Sequence, residues 1–377
     1  MNMIGGFFTV ESKKRSKSYT FTKKTLQERN SKTIFEVCDF VVINPPVLRI
    51  INLTELNFSI WIKGTDQLVE FLSPLDDAHD KINRLSKLLS VISRYQSISN
   101  LMIHNGDIDN FQAHIRAQRL AQINQDHIDP VVTDSYMKLA NVSDRISTTI
   151  DHGTIEEAQQ IAMETVMAVQ DNKNLLSMLS DLMSESSGLY DHTAIVTLLA
   201  TSIGQKLGFS ENNLKIMALG CLFHDIGLTE LDITDWYTKK IGPSDRKIYA
   251  LHPQVGVEKL SEASARLSVQ LPEEIFMITM QHHEKFNGSG FPNGRKGQLS
   301  KGNPNGIHVF ASVVSLADHF STYFVDLDGK VKYDKDPAIK AINRLDGYFD
   351  PVALHAFNSL VNYNHEKHYF QITERAI

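Results

Sequence analysis

The 377-residue sequence has little cysteine and no long hydrophobic run. Its two cysteines, Cys38 and Cys221, are too few for a disulfide framework or a thiolate zinc site, which favours a reducing compartment. No segment reaches the roughly 18 consecutive apolar residues that a transmembrane helix requires. The apolar residues near the start precede the basic residues of 13–17, the reverse of a secretory signal. These absences predict a cytoplasmic protein without a membrane span.

Neither sign of charge dominates the composition. The net charge of −6 and the pI near 6.2 give no whole-chain reason to expect a nucleic-acid partner. The hydrophobic fraction of 42% and the charged fraction of 22% are ordinary for a globular chain and exclude a mostly disordered or collagen-like one. The length favours two domains.

Four regions of the chain differ in composition and hydrophobic pattern. Residues 1–33 are polar and basic and predict a flexible tail. Residues 34–118 combine β-branched and aromatic runs with amphipathic stretches, which predicts a small α+β regulatory module. Residues 119–184 predict a helical linker or dimerisation region, and 185–377 a mainly helical domain.

Histidine is abundant in this chain, at 15 residues. Several histidines and two aspartates of the helical part lie at the end or on one face of an apolar segment, where a polar side chain needs a partner. Imidazole and carboxylate together suit zinc, iron or manganese, and the shortage of thiolates favours the metals that prefer nitrogen and oxygen. These residues are His192, His224, Asp225, His252, His282, His283 and Asp318.

Five histidines and two aspartates exceed the needs of one ion. They suffice for two ions, with Asp225 able to bridge because each carboxylate oxygen can bind one of them. Two metals about 3.5–4 Å apart are the usual arrangement for hydrolysing a phosphoester, in which one ion activates water and both neutralise phosphoryl oxygens. The alternative is a set of unrelated core histidines, each hydrogen-bonded locally.

A glycine-rich stretch follows His282-His283-Glu284. Gly288 and Gly290 permit positive φ or close backbone approach, and Pro292 stiffens the exit of the loop. A loop of this kind beside a metal cluster is able to admit a bulky phosphorylated ligand, although a surface turn has a similar sequence.

The motif pieces together resemble the HD-GYP domain, a branch of the HD metal-dependent phosphohydrolases. The resemblance spans roughly 185–370 and rests on His192, HDIG at 224–227, His252-Pro253, HHEKFNGSGFPNG at 282–294 and ADHF at 317–320. It implies an all-α C-terminal helical bundle, iron or manganese in a two- or three-ion site, and hydrolysis of cyclic di-GMP to pGpG or GMP. The first module is similar to the small N-terminal domain that precedes some HD-GYP domains, which implies a regulatory or dimerising role.

The resemblance also implies residue roles. The seven histidines and aspartates named above become metal ligands, with Asp225 bridging and catalytic, and Glu185 is a further candidate ligand for a third ion. The implied substrate-binding residues are Lys285, Gly288, Gly290, Phe291, Pro292 and Lys296.

Three departures from the family pattern alter the predicted substrate contacts. Leu228 follows HDIG where the family usually has lysine, and Phe291 replaces the tyrosine of GYP. The segment 319–336 lacks the arginine that usually follows the last aspartate. Each missing cationic contact corresponds to about 1.5–3 kcal/mol. Lys285, Arg295 and Lys296 are the cations available to compensate.

The leading hypothesis is therefore a metal-dependent phosphodiesterase acting on cyclic di-GMP or a related cyclic dinucleotide. A second hypothesis is a metal-stabilised, weakly active or inactive sensor of such a nucleotide, or a module that binds partner proteins of a signalling pathway. A third is an HD phosphohydrolase for another nucleotide. A homodimer through the first module or through helices around 155–183 is compatible with each hypothesis.

Overall fold

The computed structural model describes most of the chain, and its helices greatly outweigh its strands. The strands are β1 Ser18–Tyr19, β2 Phe35–Glu36, β3 Phe40–Val42, β4 Ile60–Lys63, β5 Leu68–Leu72 and β6 Leu101–His104. The helices are α1 Ala78–Tyr95, α2 Ile108–Gln122, α3 Pro130–Thr148, α4 His152–Asp171, α5 His192–Lys206, α6 Glu211–Phe223, α7 Pro243–Tyr249, α8 His252–Leu267, α9 Glu273–Gln281, α10 Val309–Ser321, α11 Lys335–Asn343 and α12 Pro351–Leu360. The described residues are 18–19, 35–36, 40–43, 48, 51–63, 68–95, 101–122, 130–171, 191–231, 243–324 and 335–361.

The predicted fold class, a helical C-terminal bundle with a smaller α+β module before it, is confirmed. Four of the strands form an antiparallel sheet in the order β3-β6-β4-β5. One cluster of buried side chains associates with this sheet and includes Leu85 of α1 and Phe111 and Ile115 of α2. A smaller cluster contains Phe40, Leu68 and Met102, with Trp61 packed against it.

The helical part has one continuous hydrophobic core, which extends from Val132 in α3 to Phe357 in α12. Helices α3 and α4 lie in the region predicted as a linker, and their buried faces belong to this core together with α5 and α6. The Arg266 guanidinium of α8 also donates to the Ile150 carbonyl, at 2.7 Å. Residues 130–171 of the predicted linker are thus packed against the helical domain.

Caps place several helix ends that matter for the site. The Asp191 carboxylate accepts from the Ala194 N–H at 2.8 Å and caps α5, and the Ser210 hydroxyl accepts from Asn213 N–H and caps α6. Helix α10 begins after His308, whose Nδ1 accepts from the Phe310 N–H. Among the helices that the structure describes, none has the length and apolar character needed to cross a membrane.

Candidate metal centre

The seven histidines and aspartates predicted from the sequence come together at the ends of five helices. His192 and His252 are the first residues of α5 and α8, and His224 and His282 directly follow α6 and α9. Asp318 lies in the last turn of α10. Helix ends bring polar side chains next to a core whose middle is apolar, which is why each ligand candidate borders an apolar segment in the sequence.

Helix α3 holds the start of α5 in place. The hydroxyl of Tyr136, a fully buried residue of α3, accepts a hydrogen bond from the Asp191 N–H at 2.7 Å. Asp191 caps α5 and immediately precedes His192. The position of His192 therefore depends on a helix outside the HDIG and HHE motifs.

Gly227 of the HDIG motif permits a close approach between two backbones. A Cβ atom at this position would lie 2.0 Å from the His252 carbonyl oxygen and 2.6 Å from the Gly256 nitrogen. No side chain fits there, so the short 3-10 helix Ile226–Glu230 packs directly on the first turn of α8. This contact brings Asp225 next to His252.

The ligand candidates form two groups. One contains Asp225, His252, His282 and His283, and the other contains His192, His224 and Asp318. Within each group the candidate donor atoms lie within 4.8 Å of one another. Two such groups have the donor atoms needed for two ions, and their nitrogen and oxygen donors without sulfur suit iron, manganese or zinc.

The Asp225 carboxylate lies between the two groups. Its Oδ2 is 3.2 Å from His224 Nε2 and 3.5 Å from His192 Nε2. Its Oδ1 is 3.3 Å from His252 Nε2 and 3.4 Å from His282 Nε2. Each oxygen thus faces a different pair of histidines, which is the geometry of a bridging carboxylate.

Four of the histidines use Nδ1 as a hydrogen-bond donor to a fixed acceptor. The acceptors are the Cys221 carbonyl for His224 at 2.6 Å, the Tyr249 carbonyl for His252 at 2.7 Å and the Thr279 carbonyl for His282 at 3.0 Å. His192 donates to Ser321 Oγ at 2.8 Å, because the Ser321 hydroxyl itself donates to the Asp318 carbonyl. Such partners set the tautomer, so that Nε2 carries a lone pair.

These lone pairs point at one another and at carboxylate oxygens. His252 Nε2 lies 3.1 Å from His282 Nε2, and His192 Nε2 lies 3.3 Å from His224 Nε2. Asp225 Oδ1 is buried and has no hydrogen-bond donor among the described residues. Converging lone pairs in a buried place repel unless a cation lies between them, so the donor set fits a metal.

Electrostatics keep the carboxylates charged in this buried place. Burial alone would raise the pKa of Asp225, but the surrounding His224, His252 and His282 hold it well below its usual value. Burial likewise opposes charge on Asp318, and His192 and His283 hold the pKa of that carboxyl low. Burial disfavours the charged form of His224, yet the Asp225 carboxylate raises its pKa to about 9, which is the response of a histidine to an adjacent negative charge.

His283 is held differently, by Tyr249. The Tyr249 hydroxyl lies 3.0 Å from His283 Nε2, and His283 Nδ1 lies 3.6 Å from Asp318 Oδ2. The Phe291 ring stacks on the His283 ring at a centroid distance of 4.6 Å. Burial, with Asp225 and Asp318 nearby, raises the pKa of Tyr249 well above its usual value. Sequence reasoning did not find Tyr249, and its position three residues before His252 is the only signal available.

Glu284, the third residue of HHE, anchors the glycine-rich loop. Its two carboxylate oxygens accept from the Asn293 N–H at 2.7 Å and the Arg295 N–H at 2.8 Å. A Cβ at Gly290 would lie 2.4 Å from the His283 carbonyl oxygen, so the loop packs tightly on the backbone of the HHE motif. The buried carboxylate serves the loop backbone, a role that the sequence analysis did not assign.

The predicted substrate residues lie within this loop, apart from Lys285 before it and Lys296 after it. Gly288 has a φ of +84°, Phe291 and Pro292 are half-buried, and Lys296 is exposed. Lys285 differs, because its ammonium is buried, donates to Ser315 Oγ at 2.9 Å and lies 4.8 Å from the Tyr348 ring centroid. Burial lowers the pKa of Lys285 to about 8. Its side chain is therefore not open to a ligand in this arrangement.

Two further residues were singled out from the sequence. Leu228 follows the HDIG motif, where the HD-GYP family usually has lysine. It is 6% exposed and lies inside the protein. Glu185, the candidate third-ion ligand, lies outside the described residues.

Comparison with protein families identifies the region that contains this centre. The family model of the HD domain matches residues 177–352. Over this stretch the chain is similar to HD domains. The match covers the ligand candidates from His192 to Asp318, and it confirms the HD part of the resemblance seen in the sequence.

Two curated relatives of this chain carry functional names. The "Cyclic di-GMP phosphodiesterase response regulator RpfG" of Xanthomonas campestris pv. campestris is 28% identical over 157 residues, 41% of this chain and 38% of the relative. The "Cyclic di-GMP phosphodiesterase" of Thermotoga maritima is 28% identical over 190 residues, 49% of this chain and 48% of the relative. The chain thus spans less than half the length of either relative.

One solved structure resembles most of the chain. An HDG"Y"P protein from Bdellovibrio bacteriovorus matches with a TM-score of 0.50 and 18% sequence identity, covering 86% of this chain and 100% of that one. At this identity the likeness shows the fold. This likeness extends beyond the residues that the family model matches.

Proposed function

We propose that this protein is a metal-dependent phosphodiesterase that hydrolyses a cyclic dinucleotide, with cyclic di-GMP as the first candidate and pGpG or GMP as products. The proposal rests on the HD domain and on the names of the curated relatives that share it. We further propose that iron or manganese is the metal, in a site of two or three ions.

One observation carries the proposal: the two oxygens of Asp225 face two different pairs of histidines. A single structural ion would need only one of the groups. A carboxylate shared between two groups is typical of binuclear hydrolytic sites, where the ions lie about 3.5–4 Å apart.

In the proposed assignment, Asp225 would be shared by two ion sites. His192, His224 and Asp318 hold one ion, and His252, His282 and His283 hold the other. Glu185 is kept as a candidate for a third ion. The aromatic ring of Phe291, stacked on His283, borders the four-ligand group and is the proposed contact for the substrate, together with Gly288, Gly290, Pro292 and Lys296.

Ions held by these residues would supply an activated water and would neutralise charge on the phosphoryl oxygens. The chain's own residues fix the geometry. Carbonyl and hydroxyl acceptors lock four imidazole rings, so no reorganisation of these ligands is needed during the reaction. Asp225 and Asp318 remain ionised, and Glu284 holds the glycine-rich loop against the HHE backbone.

A second candidate function is a sensor with little or no turnover. It is favoured by the buried Leu228, which leaves the position after HDIG without a cation for a substrate phosphate. The ligand set and the names of the relatives favour hydrolysis. A cytoplasmic location, partner proteins and a homodimer stay predictions.

The deciding experiment measures metal content and turnover together. Metal-free protein is reconstituted with Fe(II) or Mn(II), its metal is counted, and cyclic di-GMP, cyclic di-AMP and 3′3′-cGAMP are each tested with product identification. We expect two or more ions per chain and metal-dependent hydrolysis of at least one substrate, lost in Asp225→Ala. A full metal complement without hydrolysis of any phosphodiester would favour the sensor.

A further inference from the structure

Tyr249 contacts two ligand candidates of the same group through two different atoms. Its main-chain carbonyl accepts from Nδ1–H of His252 at 2.7 Å, and its side-chain hydroxyl lies 3.0 Å from Nε2 of His283. The phenol ring also lies 4.7 Å from the His252 ring and 5.5 Å from the His283 ring, centroid to centroid. Tyr249, the last residue of α7, thus contacts two of the four ligand candidates in this group.

His283 is the exception among the five histidines. The other four present Nε2 to the centre, because Nδ1 is taken by a carbonyl or by Ser321. In His283 the hydrogen-bond partner lies at Nε2, and Nδ1 is the nitrogen that faces Asp318. A flexible side-chain hydroxyl takes the place of the backbone acceptor that fixes three of the other rings.

We propose that Tyr249 is a positioning residue whose hydroxyl accepts the Nε2–H of His283, so that the Nδ1 lone pair is directed into the metal centre. The inference rests on the proposed function and goes beyond it, since it names how one ligand is oriented. Tyr249 touches no reacting atom in this proposal and acts through His283.

The surroundings of Phe291 support this role. Phe291 stacks on the face of the His283 ring and lies edge-on to Tyr249 at 6.1 Å. The stacked Phe291 ring therefore fixes the plane of the His283 ring. It has no hydrogen-bond acceptor, so it does not determine which of the two His283 nitrogens carries the proton. The Tyr249 hydroxyl, at the end of α7, determines it by accepting from Nε2.

The test compares Tyr249→Phe with wild type by metal binding. Mn(II) is titrated into metal-free protein, and bound metal is counted after dialysis. We expect the second equivalent of metal to bind about 10–100-fold more weakly in Tyr249→Phe, the usual effect of losing an outer-sphere partner. Tyr323→Phe, which removes a hydroxyl outside both ligand groups, is the matched control and should bind as wild type does.

A double-mutant cycle separates positioning from a general structural effect. In a His283→Ala background, Tyr249→Phe should cause no further loss of metal affinity, because its target is gone. An undiminished loss in that background overturns the inference, as does wild-type affinity in the single variant. Wild-type protein that binds no metal overturns the proposed function and the inference with it, so the two failures are distinct.

A measurement on wild-type protein covers the case in which Tyr249→Phe folds poorly. In metal-free protein labelled with ¹⁵N-histidine, the ring nitrogens report the tautomer of each imidazole, with His283 assigned by its absence from His283→Ala. We expect His283 to be protonated at Nε2 and His252 and His282 at Nδ1. A His283 protonated at Nδ1 overturns the inference.

Discussion

Two buried histidines, one in each part of the molecule, show how a structural imidazole differs from a ligand. In the sheet module, His114 accepts a hydrogen bond from the Asn52 N–H at Nε2, at 3.1 Å, and its ring lies edge-on to Phe58. In the helical part, Nε2 of His252 faces Nε2 of His282 at 3.1 Å and an oxygen of Asp225.

Burial alone does not separate these histidines, since His114 is 7% exposed and His252 is fully buried. What separates them is the group opposite the lone pair. A backbone N–H satisfies the lone pair of His114, whereas other lone pairs and a carboxylate surround the one on His252. A metal ligand is therefore distinguished by what faces the lone pair of its ring nitrogen and not by how deeply the residue is buried.

Replacing the shared carboxylate should produce the largest effect. Asp225→Asn keeps the shape of the side chain and removes the charge between the two histidine pairs. We expect turnover to fall by at least about 10²–10³-fold, as on loss of a charge-stabilising group, together with loss of metal. Steady-state kinetics and metal counting measure this.

Asp350→Asn is the matched control for that prediction. Asp350 is also buried, but its carboxylate caps α12 through the Val352 and Ala353 N–H groups. This variant should lose stability and keep its metal. Equal metal loss in both variants would contradict the comparison.

Gly227→Ala should break the contact that brings Asp225 to His252. The added Cβ would meet the His252 carbonyl oxygen at 2.0 Å, so one backbone must move. We expect a loss of about 3 kcal/mol in the free energy of unfolding, at the upper end of the range for overpacking. Gly153→Ala, whose Cβ would have only an ordinary 3.5 Å contact, should be close to wild type in denaturant titrations.

Glu284→Gln tests whether a buried carboxylate beside the ligands serves the loop. An amide in this place leaves one of the Asn293 and Arg295 N–H groups without its acceptor. We expect about 2 kcal/mol less stability, as for a charge-assisted hydrogen bond, and a raised KM with metal content retained. Loss of metal with an unchanged KM would instead make Glu284 part of the ligand set.

His114→Ala should destabilise the sheet module without touching the metal. The Asn52 N–H loses its acceptor, which predicts a cost of about 1.5 kcal/mol in the free energy of unfolding. The metal content should equal that of wild type. A His114→Ala protein that binds less metal would show that the two parts are coupled.

The smallest expected effect is a pH dependence from the same residue. Burial lowers the pKa of His114 below its usual 6.5, so the folded state binds its proton less readily than the unfolded chain does. The stability from His114 is therefore complete above pH 6.5 and declines as the pH falls toward the lowered value. Unfolding of wild type and His114→Gln at pH 8 and pH 5.5 should show a larger loss in wild type.

Much of the site could be predicted because its chemistry conflicts with its surroundings. His224-Asp225 and His282-His283 directly follow apolar helices, and polar residues at the end of an apolar segment are visible in a sequence. The structure brings these residues together with His192, His252 and Asp318. The orientation of Asp225, in which each oxygen faces a different pair of histidines, depends on the contact at Gly227. No local sequence pattern predicts it.

Residues that act through others were harder to find. Tyr249 lies in a segment without strong periodicity, and nothing local shows that its hydroxyl reaches His283. Lys285 has the charge of a phosphate contact, but the position of Ser315, 30 residues later, decides that its ammonium is buried. Glu284 has the chemistry of a ligand and is used by two loop N–H groups. Long-range packing decides each case.

The core that α3 and α4 share with the later helices sets the size of the cooperative unit. The family model begins at residue 177, after both helices, whereas the core begins at Val132 and the Tyr136 hydroxyl holds the residue before His192. A fragment cut at the family boundary would expose the apolar partners of α5 and α6 to water. We therefore expect the unit that unfolds cooperatively to be longer than the range that the family model matches.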